Sequence, residues 1–129
     1  MPFSAIVTPD DLKRGDLVDP GWYPVEIVDY KEEPADTDKS TNCIFYIKIM
    51  DGPYKGVMPR FQFNEKALGF GKEFYPVVEI PFDSEKGYNL NSSTFRALVG
   101  SKFEAYIKRG LNQKNGKEFN EVAGFRKIK

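Results

Sequence analysis

The 129-residue sequence has no histidine, one cysteine and one tryptophan. Without histidine the chain lacks the usual general base, the usual proton shuttle and the commonest metal ligand. Cys43 alone can form neither an internal disulfide nor a zinc cluster, and a lone thiol suits a reducing compartment. No apolar run approaches the ~18–20 residues of a membrane span, and the N-terminus lacks the apolar stretch of a secretory signal. A cytoplasmic location is therefore expected. Net charge is also missing, with 19 Lys+Arg against 19 Asp+Glu. Yet residues 1–40 hold 4 basic and 10 acidic side chains, so the remainder carries the compensating excess of six positive charges. Opposed halves in a neutral total suit a partner-binding charge pattern better than bulk attraction to a polyanion.

Residues with catalytic potential do not assemble into a reaction. Ser101 and Lys102 are neighbours on a predicted strand and so point to opposite faces. Asp36 and Asp38 lack the spacing of a calcium loop. Glu32-Glu33 reads as a solvated pair, and no glycine-rich phosphate loop precedes a helix. The chain is read as a non-enzyme with no metal and no cofactor.

Strand periodicity dominates what is present. Trp22–Tyr30 alternates with Tyr23, Val25 and Ile27 on one face, which turns Trp22 and Tyr30 away from that face and partly exposes them, with Trp22 read as capping the core. Glu33–Thr41 is rich in turn formers and reads as a loop. Cys43–Met50 is the clearest strand, Asp51–Gly56 a reversing turn, and Val57–Phe63 a third strand. Residues 64–91 are the least readable. Asn91–Thr94 offers helix N-cap residues, with Phe95, Leu98 and Val99 at helical spacing and Gly100 as the stop. Lys102–Arg109 forms a fourth strand, with Phe103, Ala105 and Ile107 together. Glu118–Ile128 forms a fifth, with Gly124 marking a bulge.

Three strands, an irregular stretch with a helix, then two strands is the order of a five-stranded OB-fold, a partly open Greek-key barrel. Another small barrel and a sheet with a packed helix share that order. The expected class is all-β with a minor helix, arranged as an acidic N-terminal arm over residues 1–19 and an OB-fold domain over 20–129. The arm carries Asp10, Asp11, Asp16 and Asp19; such a segment competes for a nucleic-acid groove or recruits partners where it is not merely solvated.

Further residues carry a family resemblance. Gly21–Ile27, Asn42–Ile49, Asp51–Gly56, Leu98–Lys102 and Glu121–Phe125, in this order and spacing, resemble a group of phage-encoded OB-fold single-stranded DNA-binding proteins formerly filed as a domain of unknown function. The resemblance spans roughly residues 20–126, with Pro53 and the segment 71–88 departing from the pattern. It implies a sequence-tolerant single-stranded DNA-binding protein in phage replication or recombination, working in the host cytoplasm. Replication or recombination proteins are its further partners, it has no membrane association, and its oligomeric state is open.

Single strands are held by a positive groove that tracks phosphates and by aromatic rings on which bases stack. OB-folds place oligonucleotides on the face of strands two and three and the adjoining loops. Burying the apolar sets Phe45/Ile47/Ile49 and Phe61/Phe63 turns Tyr46, Lys48, Met58, Arg60 and Gln62 outward as a stacking platform with cations beside it. Lys39 in the first loop, with Lys114 and Lys117 around the last, is positioned to close over a strand. Phe119 is out of phase with Val122 and faces outward unless a bulge reverses it. The alternative reading is an OB-like protein-interaction module with little nucleic-acid affinity.

Overall fold

The computed structural model describes residues 4, 5, 12 and 15–128. Strands β1 (Gly21–Pro34), β2 (Thr41–Ile49) and β3 (Arg60–Asn64) are followed by a 3-10 segment, Glu65–Gly71, and a single helical turn, α1 (Phe74–Val77). A small hairpin of β4 (Phe82–Asp83) and β5 (Gly87–Tyr88) comes next, then α2 (Ser92–Arg96), β6 (Lys102–Leu111) and β7 (Glu118–Arg126). The five long strands form one antiparallel sheet in the order β3-β2-β1-β6-β7. Among the described residues no helix is long and apolar enough to cross a membrane.

The alternation read from the sequence produces the core. Val25, Ile27, Phe45, Ile47, Ile49, Phe61, Phe103, Ala105 and Ile107 are all buried on the inner face. Phe45 is the hub, with ring centroids 4.9 Å from Tyr30, 5.2 Å from Phe61 and Phe95, and 5.3 Å from Phe74. The edge strands β3 and β7 meet through side chains, with Phe61 and Phe125 centroids 5.1 Å apart. No backbone ladder joins them among the described residues, so the sheet curls round until its edges touch without pairing.

Several expectations are corrected. β1 runs to Pro34, four residues beyond the expected end, and the loop shrinks to 35–40. Within β1 the register slips between Ile27 and Asp29, leaving Val28 as an extra residue opposite β2. A one-residue bulge reverses the facing of everything after it. Tyr30 therefore turns into the core, 7% exposed, instead of away from it. Val99 is 46% exposed because α2 ends at Arg96, so only Phe95 and Leu98 reach the core.

Strand β3 begins at Arg60 rather than Val57, although pairing continues upstream: Ile47 N–H donates to Pro59 O at 3.0 Å and Ile49 N–H to Val57 O at 2.9 Å. Pro59 has no N–H to return, so the ladder there is one-sided. The unreadable middle supplies two major core residues, Phe74 and Tyr75, from a turn too short to show a period. The Tyr75 hydroxyl donates to Leu68 O and passes so close to Gly71 that a β-carbon there would lie 2.4 Å from the ring.

Helix α2 is tied to β1 by one carboxylate. Glu32 Oε2 accepts from Ser92 Oγ at 2.5 Å and Tyr30 Oη at 2.7 Å, while Arg96 lies 3.4 Å from Oε1. These donors hold the Glu32 carboxyl below its ordinary value, and burial pushes the Tyr30 phenol up. The Asn91 side chain caps α2 by accepting from Thr94 N–H at 2.9 Å. At the other end, Val18 is 1% exposed, and its N–H donates to Asn120 Oδ1 at 3.0 Å while Asn120 Nδ2 donates to Asp16 O at 2.8 Å. The last residues of the acidic arm are thus packed onto the domain.

Phe45→Ala removes the ring that joins strands, turn and helix, and should cost about 3–5 kcal/mol of stability by urea unfolding, the usual loss for a buried phenylalanine. A cost under about 1 kcal/mol would show that the aromatic core closes over the gap without it.

Candidate nucleic-acid interface

The outer face of β2 and β3 carries most of the side chains the sequence singles out. Tyr46 sits opposite Arg60 on β3 and opposite Asp29 on β1. Lys48 sits opposite Glu26, and the one-sided pairing through Pro59 and Val57 places Met58 beside Lys48. Arg60 and Gln62 are exposed, whereas Tyr46, Lys48 and Met58 are half-buried. Ile44, on the same face between Lys31 and Gln62, is fully buried and floors the platform.

The structure adds a residue that alternation missed. The Val28 bulge turns Lys31 outward, and its ammonium lies 5.4 Å from the centroid of the Tyr46 ring, within cation–π reach. Counting straight from Trp22 puts Lys31 on the inner face; only a misplaced interior lysine hinted at the slip.

Beside the platform, the gap between the β3 and β7 edges forms a groove of about 780 Å³. Met58, Arg60 and Gln62 line one wall, Phe119, Asn120 and Glu121 the other, and Gly15 and Leu17 also contribute. Val57 and Pro59 spend their carbonyls on β2, so the backbone groups of Met58, Arg60 and Gln62 face the groove. Phe119 does point outward, because the β7 register shift falls at Ala123, after it. Its ring lies over Gly110, where a β-carbon would sit 2.7 Å from Cζ, and it remains 43% exposed.

Four of the nine expected residues therefore line one groove, and Tyr46 and Lys48 adjoin it on β2. The three loop lysines are separated. Lys39 is exposed at φ 62° in the turn that joins β1 to β2, next to Ser40 and Asn64. Lys114 and Lys117 are exposed in the turn between β6 and β7, where Asn112 N–H donates to Lys117 O at 2.8 Å. β1 starts opposite Ile107 and ends opposite Thr41, so these two turns stand at opposite ends of that strand. They do not close together over one short platform. Lys114 and Lys117 flank the groove through Asn112 and Glu118; Lys39 lies outside it.

Ion pairing divides the charges. Around the groove, Glu121 is 3.2 Å from Lys108, Glu118 is 3.9 Å from Arg109, and Arg109 also reaches Asp19 at 3.6 Å. Glu26 reaches Lys102 at 3.9 Å. Among the described residues Lys31, Lys48 and Arg60 have no carboxylate within ion-pair distance. Three cations without an ion-pair contact thus lie around one half-exposed tyrosine, with the exposed Asp29 carboxylate opposite it on β1. The Asp38 carboxylate is engaged within the turn, accepting from Ser40 Oγ and N–H and from Lys66 Nζ at 2.9 Å. Comparison with protein-family models and with curated protein sequences yields no match.

The Asp38 bonds anchor the turn that carries Lys39, and Lys66, then Ser40, lower the Asp38 carboxyl to about 2. A depressed folded value contributes stability above the unfolded pKa, near 3.9, and loses it as the pH falls through the folded one. Asp38→Asn should therefore lower the urea midpoint at neutral pH, and its gap from the unmodified protein should close as the pH falls toward about 2. A gap independent of pH would assign the effect to packing rather than charge.

Proposed function

We propose that this chain is a sequence-tolerant single-stranded DNA-binding protein built on an OB-fold barrel, with the outer face of β2 and β3 and the adjoining groove as its binding surface. The observation that carries the reading is Tyr46 with Lys31, Lys48 and Arg60 around it, none of them in an ion pair among the described residues. An aromatic ring with cations beside it suits a single strand, whose bases present stacking faces that a duplex hides. Stacking accepts every base, so little sequence preference follows. The sheet order and the side-chain contact of β3 with β7 support the barrel. The resemblance carried by Gly21–Ile27, Asn42–Ile49, Asp51–Gly56, Leu98–Lys102 and Glu121–Phe125 adds phage replication or recombination as the setting. The competing reading, a protein-interaction module, draws on the zero net charge and on the edge backbone of β3 facing the groove, which could pair with a peptide strand.

Fluorescence-anisotropy titration of labelled single-stranded and duplex oligonucleotides at several salt concentrations separates the two. Tight binding of single strands over duplex is expected; silence on all nucleic acids selects the protein-interaction module. Tyr46→Ala should cost about 1–3 kcal/mol of binding with little change in salt dependence.

Three phosphate contacts predict a slope of log K against log salt near −2, at about −0.7 per contact. Lys48→Gln or Arg60→Gln should each make the slope shallower by about 0.7. A slope near zero would mean that the cations do not touch phosphate.

A further inference from the structure

A second aromatic–cation cluster lies on the outer face of the same sheet, across β1 from Tyr46. Trp22 on β1 pairs with Tyr106 on β6, and their rings meet edge to face with centroids 5.5 Å apart. Arg126 on β7 lays its guanidinium over the indole, 4.1 Å from the ring centroid. The guanidinium is fixed by Nε, which donates to Glu104 Oε1 at 2.8 Å. Gly124, opposite Tyr106, makes room for the indole: a β-carbon there would lie 3.2 Å from Trp22 Cη2. Trp22 stays 38% exposed, so part of the indole is open to solvent. The Glu104 bond uses only Nε, and both Nη atoms of Arg126 are without an acceptor among the described residues.

We infer that Trp22 and Arg126 form a second nucleotide-binding station, the solvent-exposed part of the indole packing against a base and the free guanidinium nitrogens taking a phosphate oxygen. The inference rests on the single-stranded DNA reading above and extends its footprint. Trp22 and Asp29, the β1 neighbour of Tyr46, are seven residues apart, at most about 23 Å at ~3.3 Å per residue. One strand that touches both stations is therefore several nucleotides long, within the ~4–16 that a single OB-fold covers. Arg126 is already oriented by Glu104 and the indole, so little side-chain freedom is lost when a phosphate arrives.

Trp22 is the sole tryptophan, so indole emission excited at the red edge reports this station alone. The full chain is titrated with oligothymidine of about 16 nucleotides, with binding followed separately by the anisotropy of a labelled oligonucleotide. Strong quenching of Trp22 emission in step with binding is expected. Trp22→Leu should weaken binding by about 5- to 150-fold, the range for loss of one stacked base. Arg126→Gln should make the salt slope shallower by about 0.7, a change that mere loss of packing does not produce.

Should Trp22→Leu fail to fold, the emission of the unmodified protein still decides. Unchanged emission at saturation, with binding that Tyr46→Ala weakens, would overturn the second station and leave the single-stranded DNA reading intact. Absence of any oligonucleotide binding by anisotropy would overturn both. Quenching that persists in a Tyr46→Ala variant of undiminished affinity would keep this station and remove Tyr46.

Discussion

The single extra residue in β1 ties the core to the surface. β1 is shared, giving its first half to β6 and its second half to β2, with only Val25 and Glu26 pairing on both sides. Just beyond that overlap Val28 drops out of register, and the facing of the strand reverses. Tyr30 then reaches the Phe45 ring and the Glu32 network, while Lys31 swings out over Tyr46. A continuous β1 would bury a lysine and expose a tyrosine, each at a cost of kcal/mol order from a charge without water or an aromatic surface without cover. One local irregularity thus completes the core and supplies a cation to the surface.

Strand order follows from the same strand. With β1 central, β3 and β7 become the two edges, and the curl of the sheet brings them together. Phe61, Phe74 and Phe125 fill the seam from inside, so the edges approach without sharing hydrogen bonds. Their separation leaves the groove, and Pro59 contributes to its shape by interrupting the ladder on the β3 side. The floor is apolar and the rim is polar because alternation sends one residue in and the next one out.

Net charge says little about such a surface. The groove carboxylates Glu118 and Glu121 are engaged by Arg109 and Lys108, and Glu26 by Lys102. Their partners come from β6, away from Tyr46. Lys31, Lys48 and Arg60, on β1, β2 and β3, are left without an ion-pair partner among the described residues, so a chain of zero formal charge still presents unpaired cations beside Tyr46, with the Asp29 carboxylate across from the ring. Exposed ion pairs of this kind add little stability, so their main consequence is which charges are left over.

Period-two alternation was enough, from sequence alone, to place Phe45, Ile47, Ile49, Phe103, Ala105 and Ile107 inside and Tyr46, Lys48, Arg60 and Gln62 outside. That pattern is local: neighbours on a strand point to opposite faces whatever the sheet does next. The Asn91 cap and the reversal at Asp51–Gly56 were legible for the same reason, being set by side chains and glycines within a few residues. Phe74 and Tyr75 were not, because a four-residue turn has no measurable period and is held by tertiary packing alone. Nor was the inward turn of Tyr30 or the outward turn of Lys31, since a bulge is settled by how β1 meets two different partners. Tertiary structure likewise decided the groove, the separation of Lys39 from Lys114 and Lys117, and the seat of Trp22 beneath Arg126. Each depends on residues from strands distant in sequence, and no spacing along the chain records which strand lies beside which.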